Sequence, residues 1–579
     1  MPITRSIHAT AAAHPTWPAI TSENCALSYR ELVQESPRII AAANWLHRKV
    51  RLVGRNEPES RPVTAVCTTS AFEAARIMAA LAGSEHIFAA IDPRWPVEHQ
   101  RNIVRAAGIG VVIVDGTQAA ATLREALDEE CGEDWGGVVC TITEFRNLEH
   151  AVDAESEAAW DSAAGEAPGE RPDISRPDSE PFLMLFSSGT TAAPKAFLKT
   201  RGQYRANLEV SKRHLGVGPE DGYVPEGELG SRLRMGPGVV TFAPGPFAYS
   251  LTLYAAVEAL ATGGTIHLSN SHTDGLVLAD LGERVARERI TRIVTVPAML
   301  RGIITQATRT PKLFARLKLI VVGGADLPEN LRHELAAVLP NTELISYYGA
   351  AEIGFIGQGI PSHPGWHEVY DGVDVEIRDD GGTPVRDDEL GGNSELGTIW
   401  VRAASASDGY VVGGAHLLDE SGWASVGDQG RTRIVNGRRQ VQVVGRAGDI
   451  INTGGHKVAL PEVTRAYADL TVDGHAFDAV AVGLPDATLG TVLALAVEDF
   501  GVGLSSRALG GTRINPLLTK AALREWGRER LAPQFVPAQY YVVSRLPRTV
   551  GGKVKTAELA DMLRSSTTAR PNGEGVQRL

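Results

Sequence analysis

Cysteine is scarce in this sequence. Its four copies, Cys25, Cys67, Cys131 and Cys140, show neither the density of a disulfide scaffold nor the spacing of metal ligands. Such usage suits a reducing compartment, and a cytoplasmic protein is expected. Long apolar runs are missing too. The N-terminal MPITRSIHATAAAHPTWP has no apolar core of secretory length. The longest uncharged stretch, Met235 to Val257, is interrupted by Gly236, Pro237, Gly238, Pro244, Gly245 and Pro246, which argues against a membrane span. An excess of basic charge is absent as well: the net charge is -12, whereas a sequence-independent nucleic-acid binder needs a basic face. What remains is ordinary for a globular chain, 43% hydrophobic and 22% charged. Its 579 residues suffice for a large core and more than one domain.

The informative stretch is FLMLFSSGTTAAPKAFLK, residues 182–199. Phe182 to Phe186 form a short continuous apolar run, the pattern of a buried strand. The run breaks into Ser187, Ser188, Gly189, Thr190 and Thr191, followed by Pro194 and Lys195. Small residues leave backbone N–H groups open, and such groups form an anion-binding concavity; the hydroxyls add donors and Lys195 adds charge. The Gly-Lys-Ser/Thr ending of a Walker loop is not there, and a Ser/Thr/Gly loop alone can be a plain turn. Its residue order, however, resembles the TSGTTGxPKG phosphate loop of the adenylate-forming superfamily, which includes acyl-CoA synthetases, peptide-synthetase adenylation domains and beetle luciferases. Ala192 and Ala196 stand where that loop usually has glycine.

Along the chain, residues 27–49 read as a helix entered from a short strand, with Leu32, Ile39, Ile40 and Trp45 apolar. Between 63 and 115, strand-like runs (VTAVC, VVIVD) alternate with helical patterns, as in α/β architectures. Residues 152–180, rich in Ala, Glu, Asp, Pro and Ser, read as a surface loop or connector. The glycine-rich segment 216–238 is either a lid or an idle insertion. In TFAPGPFAYS the resemblance puts Phe247 at the gate of the acyl site, with Ala248 and Tyr249 beside it. Amino-acid-activating relatives carry an Asp where this chain has Ala248, so a buried substrate ammonium would lack its partner at a cost of several kcal/mol, roughly. A similar FAYG segment in benzoate-type ligases hints at an aryl acid.

The remaining motifs follow in family order. Gly323, Gly324 and Ala325, after the strand-like LKLIVV, match the turn packed against adenine. ELISYYGAAEIGFI resembles the YGxTE motif: Tyr348 would stack on adenine and Glu352 would hold Mg²⁺ through a hard oxygen. Ala351 replaces the motif's threonine, whose hydroxyl contacts the α-phosphate, and one lost transition-state donor can cost ~10²–10³ in rate. GWASVGD places Asp428 to receive the ribose hydroxyls. In VVGRAGDIINTGGHKVAL, Arg446 matches a nucleotide-contacting arginine, Gly448 stands at the hinge, and Gly455 matches a glycine beside the thiol tunnel. SRLPRTVGGK resembles the C-terminal motif, with Lys553 as the catalytic lysine bridging carboxylate and α-phosphate.

The resemblance therefore implies an α/β protein with a large multi-subdomain N-terminal domain of layered sheets and helices, residues 1–444, that binds ATP, Mg²⁺ and the acid. A small mobile α/β domain, 445–579, would carry Lys553. Thr190 and Thr191 would join Lys553 and Glu352 in catalysis. The expected reaction joins a carboxylic acid to AMP and then to a thiol. Coenzyme A is the expected acceptor, since no carrier domain adjoins; an amine or a carrier-protein thiol is the alternative, and a non-catalytic nucleotide-binding paralogue is the alternative from another class. Neither nucleic acid nor a membrane is expected as a partner.

Overall fold

In the computed structural model of the chain, the described residues are 3–51, 61–128, 135–163, 176–187, 195–215, 239–269, 280–385, 393–413, 416–453, 456–472, 475–486, 490–499, 518–531, 535–549, 554–568 and 576–579. Three large sheets and their helices make up a mixed α/β fold. In the seven-stranded sheet, the strands Pro181–Ser187, Ile87–Ala90, Val63–Cys67, Val111–Val114 and Val138–Thr141 lie side by side and parallel. Lys195–Thr200 and then Tyr410–Val412 extend it antiparallel. The run Phe182–Leu185 is buried, as a continuous apolar strand requires. It pairs with Lys195–Thr200 in a register that sets Ser187 opposite Lys195. The phosphate-loop residues Ser188, Gly189, Thr190 and Thr191 lie outside the described residues, as does 216–238.

The thirteen-stranded sheet has a parallel core, Val240–Ala243, Arg292–Thr295, Leu319–Val322 and Glu343–Ala350. From the far side of Glu343–Ala350 it continues antiparallel through Gly354–Gly359, Trp366–Val369, Arg438–Arg446 and Asp428–Val435. Alanine-rich helices let the layers approach closely. Ala71–Leu81 touches strands of the seven- and thirteen-stranded sheets, and all its residues but Glu73 are buried. Ser250–Ala261 packs on the parallel core. Charged side chains are enclosed there in ion pairs: Arg76, fully buried, is held by Glu149 at 2.7 Å, Glu35 at 3.0 Å and Glu73 at 3.1 Å, and Arg292 by Glu258 at 3.1 Å.

The third sheet is built from Ile450–Thr453, His456–Ala459, Asp478–Asp486, Gly490–Glu498, Gln539–Val543 and Val576–Arg578. Leu460–Ala466, Lys520–Arg530 and Thr556–Thr568 are its helices. Ion pairs tie it to the rest: Arg465 to Asp326 at 2.7 Å, Glu462 to Arg431 at 3.0 Å and Asp478 to Arg301 at 3.2 Å.

Two local expectations differ from the structure. The helix Ile142–Ala163 runs into the stretch read as connector. Composition marked that stretch as polar, but Ala and Glu are also strong helix formers and carry the helix onward. After the strand-like LKLIVV, Pro328 suits the first turn of a helix by its sequence, but it stands one residue before Glu329–Val338, at the N-cap. Among the described residues no helix is long and apolar enough to cross a membrane.

Candidate active site

The carboxyl ends of the parallel strands, where open α/β sheets bind ligands, gather four of the motifs. Gly323 and Gly324 follow Leu319–Val322. A Cβ on Gly323 would lie 2.3 Å from Cζ of Tyr347, and Gly324 has φ +80, so close approach demands the first glycine and backbone conformation the second. Ala325 follows, exposed. From the neighbouring strand, the Tyr348 hydroxyl donates to Asp428 Oδ2 at 2.9 Å. Arg446 Nε donates to Asp428 Oδ1 at 3.1 Å. Sheet register explains this meeting: Asp428 and Arg446 are paired residues of adjacent antiparallel strands. Burial, and then the Asp428 charge, hold the Tyr348 phenol well above its ordinary pKa.

Glu352 lies beyond the same strand and is only 6% exposed. Its Oε1 accepts from the Tyr410 hydroxyl at 3.0 Å, and Lys195 Nζ stands 4.9 Å over the Tyr410 ring. Its carbonyl accepts from Ser407 N at 2.8 Å and from Lys199 Nζ at 2.7 Å. Lys199 also donates to the Ser405 carbonyl at 2.6 Å. Burial lowers the Lys199 pKa to about 7, against the opposing charges of Glu352 and Asp408. Among the described residues there is no group of three or more His, Cys, Asp or Glu to form a metal cage. A single oriented carboxylate does fit Mg²⁺, which binds through one or two carboxylates together with substrate phosphates.

A cavity of ≈ 100 Å³ opens beside these groups. Tyr204, Tyr254, Tyr347 and Phe355 line it, with Lys199, Gln203, Asn207, Ser250 and Leu251, and Gly324, Ala350 and Ala351 form the side toward the nucleotide motifs. The rings pack edge to face, Tyr254 on Phe355 at 5.0 Å and Tyr347 on Phe355 at 4.7 Å, a geometry that fixes a rigid wall. Phe247, Ala248 and Tyr249 are not in this lining. Phe247 is buried edge-on against Phe88, and Tyr249 stacks with Arg94, which Asp92 grips twice.

Sequence reasoning did not single out Lys199, Tyr204, Asn207, Tyr347 or Tyr410. A signal for Lys199 was present. Residues two apart on a strand share a face, so in Lys195–Thr200 it shares one with Phe197, and both are buried. Of the other candidates, Ser187 ends its strand, and Gly448 sits exposed in the turn Ala447–Asp449. Gly455 and Lys553 lie outside the described residues.

A family model described as AMP-binding enzyme matches residues 7–411. The chain belongs to the AMP-binding enzyme family. This AMP-binding enzyme is similar over nearly its whole length to an uncharacterized acyl-CoA ligase, YhfT, of Bacillus subtilis strain 168, with 24% identity over 98% of this chain and 99% of that one. Its fold matches o-succinylbenzoate CoA synthetase of Bacillus subtilis in complex with ATP and magnesium ion, with a TM-score of 0.68 and 19% identity over 96% and 98% of the two chains. It also matches the anthranilate CoA ligase AuaEII in complex with anthranoyl-AMP, with a TM-score of 0.74 and 16% identity over 97% and 98%.

Proposed function

We propose that this AMP-binding enzyme activates a carboxylic acid without an α-amino group, aliphatic or aryl, as its acyl-adenylate and passes the acyl group to a thiol, coenzyme A. The observation that carries the reading is the convergence on Asp428. Tyr348 and the strand partners Asp428 and Arg446, remote from it in sequence, meet through two hydrogen bonds, beside a glycine turn that a side chain would fill. Each Asp428 oxygen keeps a lone pair for a ribose hydroxyl. The acyl-CoA ligase and CoA synthetase relatives support the choice of reaction, and the adenylate and ATP complexes among them support ATP as co-substrate.

In the first step a carboxylate oxygen of the acid bonds to the α-phosphorus. The bond from that phosphorus to the β-phosphate bridging oxygen breaks, and pyrophosphate leaves with the electron pair. In the second, the thiol sulfur, having lost its proton, bonds to the acyl carbon, and AMP leaves. Gly323, Gly324 and Ala325 would form the adenine wall with Tyr348, while Ser187 to Thr191 and Lys195 would receive the phosphates. Mg²⁺, held by Glu352 and the phosphates, would neutralise charge on the nucleotide. Lys553 would bridge carboxylate and α-phosphate. We place the boundary of the mobile domain at 444/445, with rotation about Gly448 and the thiol approaching past Gly455, and the enzyme in the cytoplasm.

Pyrophosphate release with fatty, benzoic, cinnamic and amino acids, each with and without CoA, tests the reading. Release on a simple acid, with CoA thioester appearing only when CoA is present, is the expected result. Transfer to an amine or a carrier protein, with CoA inert, would replace the acceptor. No release with any acid, in a protein that still binds ATP, would leave a nucleotide-binding paralogue.

A further inference from the structure

Lys199 is the feature of the cavity that the roles above leave unused. It is buried on a strand of the seven-stranded sheet, yet it lines a cavity whose far side belongs to the thirteen-stranded one. No Asp or Glu side chain is among the cavity's lining residues. The ammonium has three donors. Two are spent on main-chain carbonyls, those of Glu352 and Ser405. Neither carbonyl carries a formal charge, so the bonds hold the cation in place without neutralising it. The carboxylates of Glu352 and Asp408 act on it only from outside the lining; burial still weighs against the charged form, and an anionic ligand in the cavity offsets that cost. Ala351, adjacent to one anchor, offers only a methyl group to the same space.

We propose that Lys199 is the anion-receiving group of this cavity, its third N–H donating to a substrate oxyanion at the junction between acid and nucleotide. The assignment rests on the adenylate-forming reading above. That oxyanion is the carboxylate of the acid or a non-bridging oxygen of the α-phosphate, one chemistry from two sources. Lys199 thereby supplies the donor that the side chain of Ala351 cannot. It also sets a substrate class: the end of the acid near its carboxylate is anionic and carries no cation, because an ammonium there would face Lys199 with no carboxylate in the lining to balance it.

The test compares the wild type with Lys199→Met and Lys199→Gln. The amide of the second can still donate to one of the two carbonyls but has no charge. AMP and adenosine are titrated by calorimetry, and benzoate and octanoate are saturated in ATP–pyrophosphate exchange. In both variants we expect either at least a tenfold loss in AMP affinity with adenosine unchanged, which assigns the phosphate, or at least a tenfold rise in the KM of the acid with the KM of ATP unchanged, which assigns the carboxylate. Adding Ala351→Thr to Lys199→Gln is expected to recover part of the loss. AMP and adenosine weakened by one common factor would mean that Lys199 only braces the two carbonyls, and the assignment would fall. So would unchanged AMP binding together with an unchanged acid KM. A wild type that binds neither AMP nor adenosine would remove the adenylate reading itself, and this assignment with it.

Discussion

Asp428→Ala is the sharpest perturbation of the proposed nucleotide site. The carboxylate is 13% exposed at its side chain and already accepts from Tyr348 and Arg446, one on each oxygen. One lone pair on each oxygen remains for a ribose hydroxyl. A hydrogen bond to a charged group contributes about 1.5–3 kcal/mol, which is roughly 10- to 150-fold in affinity at about 1.4 kcal/mol per decade. The wild type should therefore prefer ATP over 2′-deoxyATP, and over 3′-deoxyATP, by about that factor each. In Asp428→Ala both preferences should collapse toward one, with affinity for ATP itself reduced by on the order of 10²–10⁴. Nucleotide titration by calorimetry reads both quantities. Asp428→Asn serves as a check on folding, because its amide oxygen can still accept from the buried Tyr348 hydroxyl. A folded Asp428→Ala protein that keeps the wild-type preference for the ribose diol would refute the assignment.

Lys553→Ala should abolish acyl-AMP formation while preserving thioester formation from supplied acyl-AMP; normal adenylation in the variant would overturn its role. Fatty, benzoic or cinnamic acids should support pyrophosphate exchange and proteinogenic amino acids should not, and the reverse pattern would sink the exclusion of an ammonium. Gly448→Pro should slow the thioester step more than adenylation, because proline fixes φ where rotation is needed; equal effects on both half-reactions would move the hinge elsewhere. Arg76→Met takes the cation from Glu149 and leaves Glu35 and Glu73 with Arg146, and should cost about 3–5 kcal/mol, read as a lowered thermal midpoint. An unchanged midpoint would show that these carboxylates take up protons at little expense.

Motif order brought the residues of the proposed nucleotide side into view, because its glycines, tyrosine and aspartate each answer a local demand. Gly324 needs its positive φ, and Gly323 yields to the Tyr347 ring. Asp428 and Arg446 are brought together by strand register, which no single motif displays. The acid side was harder to read. The resemblance points to Phe247 to Tyr249, at the entry to the helix Ser250–Ala261, and the cavity's lining takes Ser250, Leu251 and Tyr254 from that helix and Tyr204 and Asn207 from Arg201–His214. Which helix faces meet across a cavity depends on how layers pack, and a linear pattern of apolar residues carries little of that. Lys199 was hidden for a different reason. Beside the Lys195 of a phosphate loop, a second lysine reads as solvated charge until the period of the strand is followed past Phe197.

The placement of Lys199, Tyr410 and Glu352 also explains why the cavity proposed for the acid lies where it does. Lys199 and Tyr410 belong to the seven-stranded sheet, while Glu352 follows a strand of the thirteen-stranded one. Two polar bonds cross here, Lys199 to the Glu352 carbonyl and Tyr410 to the Glu352 carboxylate, and Ser407 N, from the link between Gly397–Ala403 and Tyr410–Val412, adds a third to the Glu352 carbonyl. Apolar packing accepts small slides between layers, because its energy scales with area and has no direction. Hydrogen bonds to a buried carboxylate and its own main chain weaken steeply once misaligned. A seam built this way fixes the Glu352 oxygens relative to Lys195 and Lys199, residues of the same strand. Phosphate-side and acid-side charges are thereby held at a set distance by one rigid element. In-line displacement at the α-phosphorus requires that constraint, since attacking and leaving oxygens must lie on opposite sides of one atom.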